Sequence, residues 1–219
     1  MARESRSPLR AVLVLGCTLV SPAALFAQGG QPPAGRPKYG VEAGANFANL
    51  GGSDVQNSKI RTGLVAGVYA AWPMSNGFSF QPSLLYSMEG AKESDSQTES
   101  TLKLGYVRLP LLVRYTWPVQ GTTQPFLAVG PSFGYQTSCQ ISGSGNGVSV
   151  SASCDSFTEP GGSQRKKFDV SGRIEAGLDF AMSGRTLTLG GSYSYGFTDV
   201  AKYSNARNRV FSVFLGIGL

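Results

Sequence analysis

The chain has 219 residues, 41% hydrophobic and only 15% charged, with a formal net charge of +6; an ordinary soluble domain carries roughly 25% charged residues. It contains 29 glycines and no histidine, which excludes Ser-His-Asp triads, Cys-His dyads and His-ligated zinc. The length bounds it to one domain or two small ones.

At the N-terminus, Arg3, Arg6 and Arg10 form a basic region, followed by an apolar run from Ala11 through Leu15 to Val20 and by the small residues Ala23, Ala24 and Ala27. This pattern predicts a secretory signal peptide over 1–27, cleaved after Ala27. The apolar run is shorter than the ~20 residues a membrane-spanning helix needs. Val14-Leu15-Gly16-Cys17 also fits a lipoprotein box, an alternative that would leave Cys17 acylated. Losing Arg3, Glu4, Arg6 and Arg10 lowers the net charge from +6 to about +4. No basic stripe or aromatic platform accompanies that charge, so nucleic acid is not an expected partner. Residues 28–37, rich in Gly, Pro and Gln, read as a flexible lead into a domain over 38–219.

From Tyr39 onward the dominant period is two. Tyr39, Val41, Ala43, Ala45 and Phe47 alternate with Gly40, Glu42, Gly44 and Asn46. Leu64, Ala66, Val68, Ala70 and Trp72 share one face. Further alternating segments follow over 78–89, 107–117, 127–135, 169–180, 187–198 and 211–219. These predict eight strands of about 9–13 residues and no helix. The faces opposite the apolar ones are rich in Gly, Ser and Thr, which suits the crowded interior of a narrow barrel. A water-facing side would instead carry many Lys and Glu. Tyr39, Trp72, Phe78, Tyr115, Trp117 and Phe180 lie near strand ends, where aromatic girdles of membrane barrels sit. Connections 51–59, 91–101, 138–167 and 199–208 are long and polar; 73–77, 118–124 and 182–186 are short. Short periplasmic turns and long extracellular loops are the outer-membrane pattern. The expected fold is therefore all-β, an eight-stranded antiparallel up-and-down transmembrane β-barrel located in the bacterial outer membrane.

Cys139 and Cys154 remain once the signal is removed. An even pair in an exported chain predicts a disulfide, here a structural staple on the fifth connection. By strand parity Glu42, Glu89, Arg108, Arg114, Asp169, Arg173, Glu175 and Asp179 all point inward. Buried charges are costly unless paired, so a lumen network of Arg with Asp and Glu is expected; the functional alternative is a gate or selectivity filter. Glu175 and Asp179, four residues apart on one strand, are separated by about 13 Å. That exceeds the ~9.5 Å limit of a glycosidase pair. Ser142–Gly147 is glycine-rich but lacks the Lys-Ser/Thr of a phosphate loop and reads as a flexible stretch. Arg165-Lys166-Lys167 would either meet lipopolysaccharide phosphates or form a solvated strand end. No catalytic, cofactor or metal site is expected.

Three segments resemble the PorT-like outer-membrane β-barrel family. Tyr106–Tyr115 (YVRLPLLVRY) is similar to that family's Tyr-x-x-Ile-Pro-Leu-Leu-x-Lys-Tyr strand. Pro125–Ser132 is similar to its Pro-Tyr-x-x-x-Gly-Pro strand, and Tyr193–Thr198 to its Tyr-x-Gly-Leu strand. Gly40–Asn46 resembles its first strand, and the C-terminal Leu215, Ile217 and Leu219 resemble the β-signal read by the outer-membrane assembly machinery. The resemblance implies a non-enzymatic envelope component, with extracellular binding loops or a periplasmic docking face. Its implied partners are outer-membrane lipid and lipopolysaccharide, the assembly machinery during biogenesis, and an envelope protein. A narrow channel and a soluble lipocalin-like carrier are the alternatives; the carrier's N-terminal helix and Gly-x-Trp are missing.

Overall fold

The structure, a computed structural model, describes residues 35–52, 58–94, 98–145, 148–154, 167–199 and 206–219. The signal segment 1–27, Cys17, residues 28–34 of the lead, Arg165 and Lys166 lie outside the described residues. Among the described residues ten strands follow one another: β1 (Lys38–Gly51), β2 (Ser58–Lys59), β3 (Arg61–Pro73), β4 (Phe78–Ser94), β5 (Thr98–Thr116), β6 (Thr123–Gly145), β7 (Val148–Ser153), β8 (Phe168–Met182), β9 (Arg185–Gly196) and β10 (Arg207–Gly218). Eight of them close into an antiparallel barrel in the order β1-β3-β4-β5-β6-β8-β9-β10, with β10 pairing back to β1. The two others, β2 on β4 and β7 on β6, are short additions at one end. Closure leaves the wall without a free edge, which a bilayer requires of any spanning sheet.

Register fixes the shape. The strand position level with Tyr39 passes through Ala70, Pro82, Leu111, Pro131, Gly172, Tyr195 and Arg209, and returns to β1 at Asn49, ten residues further on. A stagger of ten over eight strands tilts them by about 40° from the barrel axis. Each residue then climbs about 2.5 Å along the axis. Pairing lapses for two residues beside each of the mid-strand prolines Pro82, Pro110 and Pro131, because proline has no N–H to give to a ladder.

The outward face follows the alternation of the sequence. Val41, Leu64, Val68, Leu84, Val113, Val129, Ile174, Leu189, Val213, Leu215 and Ile217 are exposed on it. Two aromatic rings border this band. At the short-turn end Phe78 packs on Tyr115 and Tyr115 on Trp117, with centroids 4.8 and 4.9 Å apart. At the other end Phe47 pairs with Phe211, Phe133 with Phe168 and Tyr195 with Phe197. Within the four-residue connection between β3 and β4, Asn76 and Gly77 stand at φ 58° and 82° and the Phe78 N–H donates to the Ser75 carbonyl, a tight turn with the left-handed central pair.

The long-connection end differs from the expectation. The segment over 91–101 is mostly strand, since β4 runs to Ser94 and β5 starts at Thr98. Within 138–167, β6 continues to Gly145 and returns as β7. Ser142–Gly145, expected to be flexible, is thus paired strand. Composition misled here because Ser, Thr and Gly satisfy their backbone in a two-stranded ribbon without needing an apolar face. Cys139 and Cys154 are bonded, with Cα atoms 5.5 Å apart. They stand one register step beyond the last ladder pair, Gln140 with Ser153, so the bond locks the base of this ribbon. In the chain-entropy picture a loop of ~15 residues closed this way contributes about 3 kcal/mol.

Val213→Arg, near the middle of the outward band, is expected to lower stability by about 2–4 kcal/mol, and Leu219→Arg, at its edge, by about 0–1 kcal/mol; urea unfolding in lipid vesicles measures both. Equal costs at the two positions would contradict the placement of the band.

Candidate functional site: the charged lumen

Residues facing inward form three tiers. Their heights follow from the strand tilt and the rise per residue, and the upper and lower tiers lie about 20 Å apart.

The upper tier centres on Arg108 of β5, which is 2% exposed. Its Nε and Nη2 donate to the two carboxylate oxygens of Glu89 on β4 at 2.5 and 2.6 Å. Its Nη1 lies 2.8 Å from Asp169 on β8. One guanidinium therefore ties three strands together. Neutral groups extend the network: Ser87 donates to Glu89 at 2.7 Å, Asn46 to Ser87 at 2.9 Å and Ser212 to Asn46 at 2.7 Å. Thr198 donates to Asp169 at 2.8 Å. The chain of bonds thus reaches five of the eight wall strands and the segment just after a sixth.

The middle tier mixes charge with apolar bulk. Arg173 donates to Glu175, two residues along β8, at 2.6 Å. Glu42 of β1 is buried and in electrostatic reach of Glu175 and Arg173; among the described residues no hydrogen bond meets its carboxylate. Leu85, Leu112 and Phe214 fill the same height and are buried. Phe214 is seated between Gly44 and Gly190: a Cβ on Gly44 would come 2.8 Å from its backbone, and one on Gly190 2.5 Å from its ring. The small residues of the inner face are the sockets of a few large ones.

The lower tier holds Arg114 of β5, which donates to Gln81 at 3.0 Å and to Asp179 at 2.5 Å. Thr188 donates to the other oxygen of Asp179 at 2.7 Å. The guanidinium stacks 3.6 Å from the centroid of Phe126, a cation–π contact in a desolvated setting. Below it opens a cavity of about 420 Å³ at the short-turn end, lined by Lys38, Tyr69, Gln81, Arg114, Asp179 and Thr188 among others.

The eight charged positions expected to face inward thus lie in the lumen, but they do not form one network. Glu89, Arg108 and Asp169 meet; Arg114 meets Asp179; Arg173 meets Glu175; Glu42 stands apart. Five carboxylates face three guanidiniums. Sequence reasoning missed the neutral partners Asn46, Ser87, Thr188, Thr198 and Ser212, and the apolar fill of Leu85, Leu112, Phe126 and Phe214. Alternation already placed these on the inner face, except Phe126, which lies just outside the alternating segment 127–135; only the stagger of the barrel says which of them touch. Among the described residues no three His, Cys, Asp or Glu side chains cluster as a metal site would need.

The family described as outer membrane protein beta-barrel domain matches residues 26–202, and the chain belongs to it. Its place is the bacterial outer membrane, so the short turns face the periplasm and the long hairpins the outside. Solved structures similar to it include Neisserial surface protein A, at 17% identity and TM-score 0.48, covering 82% of this chain and 96% of that one. OprG from Pseudomonas aeruginosa is 9% identical with TM-score 0.45, over 83% of this chain and 95% of that one. Ail, the attachment invasion locus protein of Yersinia pestis, is 13% identical with TM-score 0.42, over 83% and 98%. No curated protein matches the chain.

Arg108→Met is expected to cost about 3–5 kcal/mol, because it leaves Glu89 and Asp169 buried without a counter-charge. Adding Glu89→Gln to that variant recovers part of the loss. Denaturant unfolding of the refolded barrel measures both; a second substitution that deepens the loss would contradict the pairing.

Proposed function

We propose that this protein is a non-enzymatic, non-conducting outer-membrane barrel whose binding element is the disulfide-locked hairpin β6–β7 on the outer surface. One observation carries the reading: the wall strands β4, β5 and β6 continue as paired sheet well past the upper aromatic ring, and the bond between Cys139 and Cys154 holds the tallest ribbon at its base. Ordering a ribbon above the membrane costs backbone entropy of about 1–2 kcal/mol per residue. A connection needed only to join two strands could be far shorter. Val150 on β7 is exposed there, and β7 pairs only with β6 among the described strands, leaving one strand edge for a partner.

The non-conducting part rests on the middle tier. Leu85, Leu112 and Phe214 occupy the axis of an eight-stranded barrel, whose interior is only wide enough for side chains. A narrow pore is the competing reading. A second reading is periplasmic docking of the kind the PorT-like resemblance implies; the cavity above the short turns, with Arg114 and Asp179 in its roof, favours it.

Two measurements separate these. In planar bilayers the protein is expected to be electrically silent, and Phe214→Gly, which removes the largest mid-lumen ring, to give steps; steady conductance from the wild type would overturn the closed lumen. In the native host, a photo-crosslinking residue at Val150 is expected to trap a partner while one at Val119, in the β5–β6 turn, traps none. The reverse outcome would move the binding face to the periplasm, and silence at both would sink both docking readings.

A further inference from the structure

The outward band is free of charge on every described strand from the lower aromatic ring upward, until Arg209. Arg209 on β10 and Leu219, the residue just after that strand, are ten residues apart on one face, which at the strand tilt is about 25 Å along the axis. That equals the height of the apolar band of an outer-membrane barrel, about 25 Å. Arg209 therefore stands at the outer boundary of the hydrocarbon, level with the headgroups of the outer leaflet.

The described residues around it do not neutralise it. Its register partners are Asn49 and Tyr195, and its guanidinium lies 5.6 Å from the centroid of the Tyr195 ring. It also lies across Gly51, where a Cβ would come within 2.3 Å of Cζ. Its Nε is buried and has no hydrogen-bond partner. Among the described residues no carboxylate pairs with it, whereas Arg207, one step higher on the same face, reaches Asp199 at 3.2 Å. Beneath Arg209 an open groove of about 620 Å³ runs down the outer wall, lined by Phe47, Asn49, Ile60, Tyr193, Arg209 and Phe211. Its lower part is aromatic and faces lipid; its upper part carries one guanidinium and one amide.

An arginine held only to reach water would extend upward and hydrate all its donors. Here the side chain instead folds back across Gly51 and over the Tyr195 ring, with Nε enclosed by the wall and out of a ligand's reach, so its terminal nitrogens are the donors left for a partner. A cation at headgroup height is complemented by an anion, and the groove beside it by an apolar chain along Tyr193 and Phe211. We propose that Arg209, with Asn49, binds a phosphate of a phosphorylated outer-leaflet glycolipid, one acyl chain of which lies in the Phe47–Tyr193–Phe211 groove. Arg suits the task because its planar fork meets phosphate oxygens in pairs. The site lies on the outside of the wall and is independent of whatever the β6–β7 hairpin binds.

Native mass spectrometry of the refolded full barrel in detergent tests it with three added lipids: bis-phosphorylated lipid A, the same lipid dephosphorylated, and phosphatidylglycerol. The expected result is a one-to-one adduct with phosphorylated lipid A, weakened about tenfold on dephosphorylation, the effect of about 1.4 kcal/mol. R209Q is expected to show the same loss, and R185Q, at the periplasmic rim, none. Folding of each variant is checked by its heat-dependent mobility on a gel. The lipid series on the wild type stands as the readout should R209Q not fold. Equal binding of the phosphorylated and dephosphorylated lipids would overturn the proposal. So would a folded R209Q that binds like wild type, or tighter binding of phosphatidylglycerol, which would make the site a general anionic-lipid contact.

Discussion

Closure of the sheet is the constraint on which the rest depends. In hydrocarbon no water is available to an unpaired N–H or C=O, so the wall must pair all the way round. With eight strands, closure at a stagger of ten leaves an interior with room for side chains and little else. Most inward residues are then buried, whatever their type. The chemistry of the lumen follows from that enclosure: charges there must find each other, and glycine, serine and threonine must make room for the few residues that are large.

Arg108 shows how this works. A guanidinium removed from water is retained only where several acceptors surround it. Glu89 and Asp169 supply them from the two sides of the barrel, because the stagger brings β4, β5 and β8 to one height. The neutral chain Ser212–Asn46–Ser87–Glu89 then satisfies the carboxylate from the far wall. Cross-bracing of this kind links strands that are not neighbours in the sheet, so it resists the ovalisation that backbone ladders alone permit. The lower pair of Arg114 and Asp179 is a weaker brace: Asp179 is partly open to the cavity beneath, where water competes for it.

Much of this was legible in the chain. Period-two alternation is a local property, and it assigned the inward and outward faces residue by residue, together with the short turns. The partners within the lumen were less accessible, because contact across a barrel depends on accumulated register. One residue of slip anywhere, such as the irregularity between Gly105 and Tyr106 where β6 gains Thr137, changes which heights coincide. Glu42 illustrates the limit: parity puts it inside, but that it forms no salt bridge with the nearby Arg173 follows only from the stagger. The tall hairpins were missed for a different reason. Polar, glycine-rich sequence resembles loop by composition, yet a ribbon continuing an existing sheet already has its register set by the strands below it.

The two sides of the wall consequently divide the labour. An interior whose large residues are socketed against glycine and whose charges are cross-linked has little freedom to move or to admit a solute. On the function proposed above, recognition falls to the surfaces that closure leaves unconstrained. One is the sheet above the upper aromatic ring, where strands no longer need an apolar face and the Cys139–Cys154 bond takes over the ordering that the bilayer supplies below. Another is the outer wall at headgroup height, where the apolar requirement ends and a first charge is tolerated. Arg209 sits at that boundary, and among the described residues no carboxylate pairs with it. A wall built only to be insoluble in water would have ended its apolar band with an aromatic or a lysine free to reach solvent. Instead β10 presents an arginine over a tyrosine ring beside an aromatic groove, an arrangement complementary to the amphiphilic anion proposed above.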